Sequence, residues 1–299
     1  MYPQYSYFGH EMKCGDQPMT FPPQHQDRQP GIESQMIPRP IFDNPNYIGS
    51  GKLANKVALI TGGDSGIGRA VAVAYAKEGA DVSIVYLYEK EDALETKKAV
   101  ETLGRKCLTI EGDLRNDSFC KEAVAQTVKT FGHLDILVNN AGIQIYKESI
   151  LDISNDQLED TFKTNIFSFF YITKAALPHL GNGCSIINTS SIVAYEGFKT
   201  LIDYAATKGA VVSFTRSLAL SLVEKGIRVN SVAPGSTWTP LTVSSFPAEI
   251  VKVFGIDNPM KRAAQPFELA PTYVYLASDD SRFVTGETLH VNGGKMRTS

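Results

Sequence analysis

The chain has 299 residues, 43% of them hydrophobic and 20% charged, with a formal net charge of −3 and a pI near 6.0. This composition suits a globular protein with a sizeable core and excludes a polybasic nucleic-acid binder or a basic membrane-surface protein. No run of eighteen apolar residues occurs, so no membrane span is expected.

Residues 1–50 stand apart from everything that follows. They hold eight of the fifteen prolines and show little periodicity, as in FPPQHQDRQPGIESQMIPRP at 21–40. Proline removes backbone donors and favours extended or turn conformations, so this reads as a non-helical arm. About the first 20 residues read as a disordered tail. Ile32, Met36, Ile37, Ile41, Phe42, Tyr47 and Ile48 give the rest enough apolar surface to pack along the domain or a neighbouring subunit. The start, MYPQYSYFGHEMKCG, lacks the basic-then-apolar pattern of a secretory leader. Cys14, Cys107, Cys120 and Cys184 are scattered without a CxxC or Cys/His cluster, which predicts a reducing cytoplasm, no disulfide framework and no zinc.

From Lys56 short β-branched runs alternate with helical segments. Strands are predicted at 57–61, 82–86, 107–111, 136–139, 185–189, 228–233 and 288–291. Helices are predicted at 66–78, 91–103, 117–130, about 157–179, 204–224 and 267–277. Apolar runs without alternation imply strands covered on both faces, and strand–helix alternation implies a parallel sheet with right-handed crossovers. The expected fold is one α/β domain over 51–299: a doubly wound, seven-stranded parallel sheet, Rossmann-like, preceded by the extended arm of 1–50.

The first strand runs into TGGDSGIG at 61–68, where Gly62, Gly66 and Gly68 keep the spacing G-x-x-x-G-x-G. Glycines at a strand–helix turn let the backbone approach a pyrophosphate, and helix N-terminal amides point at its charge. Asp64, Ser65 and Ile67 fall in the same turn. Asp113-Leu114 after the third strand could meet an adenine edge, and Asn140-Ala141-Gly142 after the fourth could approach a ribose. Each of these two is equally well an Asx-turn or a polar strand end.

Further on lies SIVAYEGFKTLIDYAATK at 191–208. Tyr-x-x-x-Lys occurs three times, as Tyr86/Lys90, Tyr195/Lys199 and Tyr204/Lys208. Tyr86 ends a predicted strand and Tyr195 sits in a predicted loop; only Tyr204 opens a helix with a serine, Ser191, upstream after a strand. Positions i and i+4 share a helix face, so Lys208 is expected to lower the phenol's pKa and make it usable as an acid or base.

TGGDSGIG, NNAG at 139–142, the Ser191/Tyr204/Lys208 set and Pro234-Gly235 occur in the order and separations of the short-chain dehydrogenases/reductases, which the chain resembles over about residues 52–294. Within that family it looks most like the group of bacterial general-stress proteins and plant glucose and ribitol dehydrogenase homologues, through the arm, GDSGIG and SIVAYEG. The resemblance implies Tyr204 as the catalytic acid/base, Lys208 holding the nicotinamide ribose, and Ser191 orienting the substrate oxygen. It implies Asn165, in FKTNIFSFF, as support for a water-linked proton relay to the lysine. Pro234, Gly235, Thr237 and Thr239 would meet the nicotinamide carboxamide, and a homotetramer would pair the helices at 157–179 and 204–224.

The cofactor is NAD or NADP. Tyr86 stands where an acid would hold the adenosine 2′-hydroxyl or a base would accept a 2′-phosphate; nearby Glu89 leans to NAD and Lys90 to NADP. With Asp64 and Ser65 in the glycine loop where many NADP-preferring relatives carry a basic residue, the expectation is NAD. The substrate is expected to be a small alcohol or carbonyl compound (an aldehyde, ketone or polyol), not nucleic acid or membrane. Its cover is expected from loops 143–147 and 192–199 and from segment 236–266, where Trp238, Leu241, Phe246 and Phe254 read either as a movable lid or as ordinary loop packing, with Gln144, Tyr195 and Glu196 adding polarity. Two other readings compete: a reductase of carrier-bound 3-oxoacyl chains, and a dinucleotide-binding sensor without turnover.

Overall fold

The computed structural model describes residues 17–295. Most of the expected disordered tail, residues 1–16 with Cys14, lies outside this range. Residues 17–20 are described, with Gln17 buried and Met19 and Thr20 exposed.

Seven parallel strands form one sheet in the order β3-β2-β1-β4-β5-β6-β7. They are β1 Val57–Thr61, β2 Asp81–Tyr86, β3 Cys107–Glu111, β4 Ile136–Asn139, β5 Ser185–Thr189, β6 Arg228–Pro234 and β7 Thr288–Val291. The fold is the expected Rossmann-like α/β domain. β1, β4 and β5 are buried along their whole length, as the unalternating apolar runs require. Strand order reverses between β1 and β4, and there the carboxyl ends of the strands leave a crevice open.

Helices cover both faces. On one, α1 (Gly66–Lys77), α2 (Lys90–Thr102) and α10 (Pro266–Ala277) share a core with β1 and β2. On the other, α3 (Asp117–Phe131), α5 (Ser168–Ala176) and α7 (Ile202–Leu222) bury Val124, Ile172 and Leu222 against Leu59, Leu137 and Ile186. Local signals set the ends of α3: the Asn116 side chain accepts from Ser118 N, and Gly132 closes the helix at φ 88°.

The single helix predicted at 157–179 is interrupted. α4 (Asn155–Phe162) passes through a π-helical turn, Lys163–Phe167, before α5, which tightens into a 3₁₀ turn at Leu177–His179. Sequence periodicity does not register this one-residue slip in hydrogen bonding. Three short helices were also missed: α6 (Val193–Glu196), which contains Tyr195, α8 (Pro240–Val243) and α9 (Ala248–Lys252).

The arm packs on its own domain. Phe21 lies flat on Trp238, with ring centroids 3.6 Å apart, and the Trp238 indole N–H donates to Pro38 O at 2.9 Å. Phe21 and Met36 join Ile192, Tyr204, Trp238, Val243 and Phe246 in a core cluster beside the crevice. Phe42 and Tyr47 pack against the main core, whereas Ile37 and Ile48 stay exposed. Trp238 is fully buried by this packing and makes no movable cover.

Candidate active site

The crevice is a cavity of about 990 Å³. One wall is the β1–α1 turn. Gly62 and Gly66 have φ of +62° and +50°, the left-handed region that glycine enters without strain. A Cβ at Gly68 would collide with the carbonyl of Gly62, so only glycine lets α1 start this close to β1. The next wall is braced to the first. Thr61 Oγ1 accepts from Asn140 N at 2.9 Å and Ala141 N at 3.1 Å, and Asn140 Nδ2 donates to Thr61 O and Gly62 O, both at 3.1 Å.

Of the residues expected at a cofactor, Gly62, Asp64, Ser65, Gly66, Ile67, Tyr86, Asp113, Leu114, Asn140, Ala141, Gly142, Tyr204, Lys208, Pro234, Gly235, Thr237 and Thr239 all line this cavity. Gly68 stands behind it. A glycine cradle at a helix N-terminus, opening into a cavity of this size, fits a dinucleotide. Asp64 is buried, and burial first, then the charges of Glu89 and Asp92, push its carboxyl up to about 7 against a Ser65 hydrogen bond. Burial would also raise Asp113, but the hydrogen bonds and charge of Arg115 outweigh it and hold that carboxyl below its ordinary value.

Ser191, Tyr204 and Lys208 meet at the other end. Ser191 lies close enough to the Tyr204 phenol to act on its pKa, lowering it, and its Oγ accepts from Val193 N at 3.4 Å. Lys208 lies one helical turn along α7, with Nζ 5.5 Å from the Tyr204 ring centroid and donating to Thr189 O at 2.8 Å. The expected acidification of the phenol is absent here. Burial pushes Tyr204 up to about 12 against the lowering by Ser191, and burial pushes Lys208 down to about 7. Desolvation disfavours both charges, and the ammonium is turned to a carbonyl rather than to the phenol oxygen.

Asn165 sits in the π turn, outside the cavity lining. Its Oδ1 accepts from Ile143 N at 2.8 Å; its Nδ2 donates to Ile143 O at 2.8 Å and Thr207 Oγ1 at 3.1 Å. A Cβ on Gly142 would lie 3.2 Å from Asn165 Oδ1 and 3.6 Å from Lys208 Nζ, so the asparagine and the lysine flank one small residue.

Among the loops expected at the substrate, Gln144, Glu196, Leu241, Phe246 and Phe254 line the cavity. Trp238 and Tyr195 do not: Trp238 faces the arm, and the Tyr195 ring packs edge-on to His290 at 4.6 Å. The arm was missed altogether as a wall. His25 through Gly31 line the cavity, Arg28 pairs with Glu89, and Glu33 accepts from Gly66 N at 2.6 Å. The polar run QHQDRQPGIE, unusual between proline-rich flanks, was the one available signal. Among the described residues no cluster of His, Cys, Asp and Glu could hold a metal, and no helix is long and apolar enough to cross a membrane.

A family model described as enoyl-(acyl carrier protein) reductase matches residues 62–295. The chain is 60% identical over 282 residues to general stress protein 39 of Bacillus subtilis, covering 94% of this chain and 99% of that one. It is 51% identical over 280 residues to glucose and ribitol dehydrogenase of Daucus carota, covering 92% and 96%. A crystal structure of a Burkholderia cenocepacia short-chain dehydrogenase in complex with NADP superposes with a TM-score of 0.77 at 33% identity, covering 81% of this chain and 98% of that one. A Mycobacterium paratuberculosis short-chain dehydrogenase bound to NAD gives a TM-score of 0.75 at 32% identity, with the same coverage.

Proposed function

The chain belongs to the short-chain dehydrogenase/reductase family of NAD(P)-dependent oxidoreductases, and from that premise we propose that it interconverts a small alcohol with its aldehyde or ketone, with Tyr204 moving the proton. One observation carries this reading: Ser191, Tyr204 and Lys208 open into the same cavity as the glycine turn.

When bound, the nicotinamide supplies or accepts the hydride. Ser191 donates a hydrogen bond to the substrate oxygen and holds it against Tyr204. The Tyr204 hydroxyl gives that oxygen a proton during reduction and takes one back during oxidation. Lys208, whose Nζ donates to the carbonyl of Thr189, holds the nicotinamide ribose in this reading. Asn165 steadies the Ile143 backbone and, through water, links Lys208 to solvent protons. Phe246, Phe254 and Leu241 exclude water from the reacting carbon, while Gln144 and Glu196 favour a substrate with further hydroxyls.

NAD is the expected cofactor, because Asp64 and Glu89 line the adenosine end, where a carboxylate would hold a ribose 2′-hydroxyl. The same reading divides the chain into an arm of 1–50 and a catalytic domain of 51–299, and makes the protein a cytoplasmic homotetramer. Cys107, Cys120 and Cys184 are free and buried, which suits a reducing compartment.

The test is a panel of aldehydes, ketones and polyols with each cofactor, following reduced-nicotinamide absorbance. Turnover is expected, with a higher kcat/KM for NAD(H); a tenfold preference for NADP(H) would refute the cofactor assignment. Tyr204→Phe should bind NADH as wild type does and lose nearly all turnover. Retained turnover moves the proton chemistry to another group, and binding without turnover in wild type favours the sensor.

A further inference from the structure

The arm does more than pack beside the crevice. Residues 26–31 form a loop pinched at its base by the Gln26 side chain, whose Oε1 accepts from Ile32 N at 2.7 Å and whose Nε2 donates to Ile32 O at 2.9 Å. From that base the loop touches the cavity on several sides. Gln26 N donates to Val243 O at 2.8 Å, and Arg28 reaches Glu89 beyond β2. Gln29 Nε2 donates to Gln144 O and, at 3.2 Å, to Ser244 O, while its Oε1 accepts from Gln144 N at 3.3 Å. Gly31 is pressed so close to the substrate-side segment that a Cβ would lie 2.7 Å from Pro240 O. The loop therefore ties the adenosine end of the cavity to its substrate end.

We propose that loop 26–31 is a clasp closed over the bound dinucleotide, with Gln29 the positioning residue that holds it shut. This rests on the function proposed above. Cofactor then leaves only after the Gln29 bonds to Gln144 and Ser244 break, so the clasp sets the dissociation rate more than the affinity of any single contact.

The full-length protein is loaded with NADH, and in parallel with NADPH, and release is followed by stopped-flow nicotinamide fluorescence after a chase with the oxidised form. Gln29→Ala is expected to speed release of the preferred cofactor roughly tenfold, as loss of one or two hydrogen bonds gives. Gly31→Ala, whose methyl pushes the loop off Pro240 without deleting a polar group, should act in the same direction. Hydrogen exchange on wild type needs no variant to fold: amides of 26–31 should exchange more slowly with saturating NADH than without. Unchanged release in both variants, or no cofactor-dependent protection, overturns the clasp. Failure of wild type to bind either cofactor instead removes the function reading on which it rests.

Discussion

On the proposed mechanism a phenol and an amine, both taken out of water, set the pH behaviour of the site. Because burial lifts Tyr204 to about 12, its hydroxyl is protonated through the neutral range and ready to donate. Carbonyl reduction should therefore run at a constant chemical rate near pH 7 and fall only as pH climbs toward that value. Alcohol oxidation needs the phenolate, so its rate should rise up to tenfold per pH unit from neutral to alkaline. Lys208, lowered to about 7, takes up a proton below that point and places a charge 5.5 Å from the ring, which pulls the phenol down. Single-turnover rates in both directions from pH 6 to 10 check this; a reduction rate that climbs with pH would assign the proton donor elsewhere. That Ser191, Tyr204 and Lys208 share one cavity was legible in the chain, because Tyr204 and Lys208 are one helical turn apart and Ser191 follows a strand end. Their charge states were not, since the residues that desolvate Tyr204, such as Phe21, Met36, Trp238 and Phe246, lie far away in sequence.

Among the elements, the strands were readable to within a residue, because buried parallel strands leave unbroken apolar runs such as VALIT. The π turn around Asn165 was not, since a one-residue slip in hydrogen bonding leaves the apolar periodicity of its flanks intact. Trp238 was open for a related reason: a large apolar residue in a loop reads equally as cover for a ligand or as packing until its partner, Phe21, is known. The arm also joins α1 through charge. The Arg69 side chain, fully buried at the start of α1, pairs with Glu33 at 2.6 Å, Glu95 at 3.1 Å and Asp92 at 3.5 Å. Burial raises Glu33 in spite of that guanidinium. Glu33→Gln should cost roughly 3 kcal/mol, the lower part of the range for breaking a buried pair, because Asp92 and Glu95 still face Arg69. Urea unfolding measures it, and a loss below about 0.5 kcal/mol, the range of a featureless surface change, would mean the arm contributes little to holding α1.

For the molecule as a whole, the exposed apolar residues Phe167 and Phe170 at the π turn and α5, and Leu220 on α7, lie on the two helical stretches expected to pair between subunits. Phe170 also packs at a tilt against Phe214 of α7, with ring centroids 4.5 Å apart. Sedimentation velocity should report a tetramer, and Phe170→Glu with Leu220→Glu should reduce it to smaller species with thermal unfolding at a lower temperature. A monomer in the wild type would contradict the pairing.

The crevice joins the two ends of the sequence. Gln26 and Phe21 bond to Val243 and Lys252, so the segment that leaves the ribosome early waits for partners more than two hundred residues behind it. At ordinary rates of translation that delay is on the order of ten to forty seconds. Until it ends, the nascent Rossmann sheet can collapse around β1 to β5, but it exposes Trp238's eventual berth and lacks the front of its ligand chamber. On the proposed function, competence to bind is thus a late, vectorially timed event, completed only when newly made chain folds back onto residues 21–31.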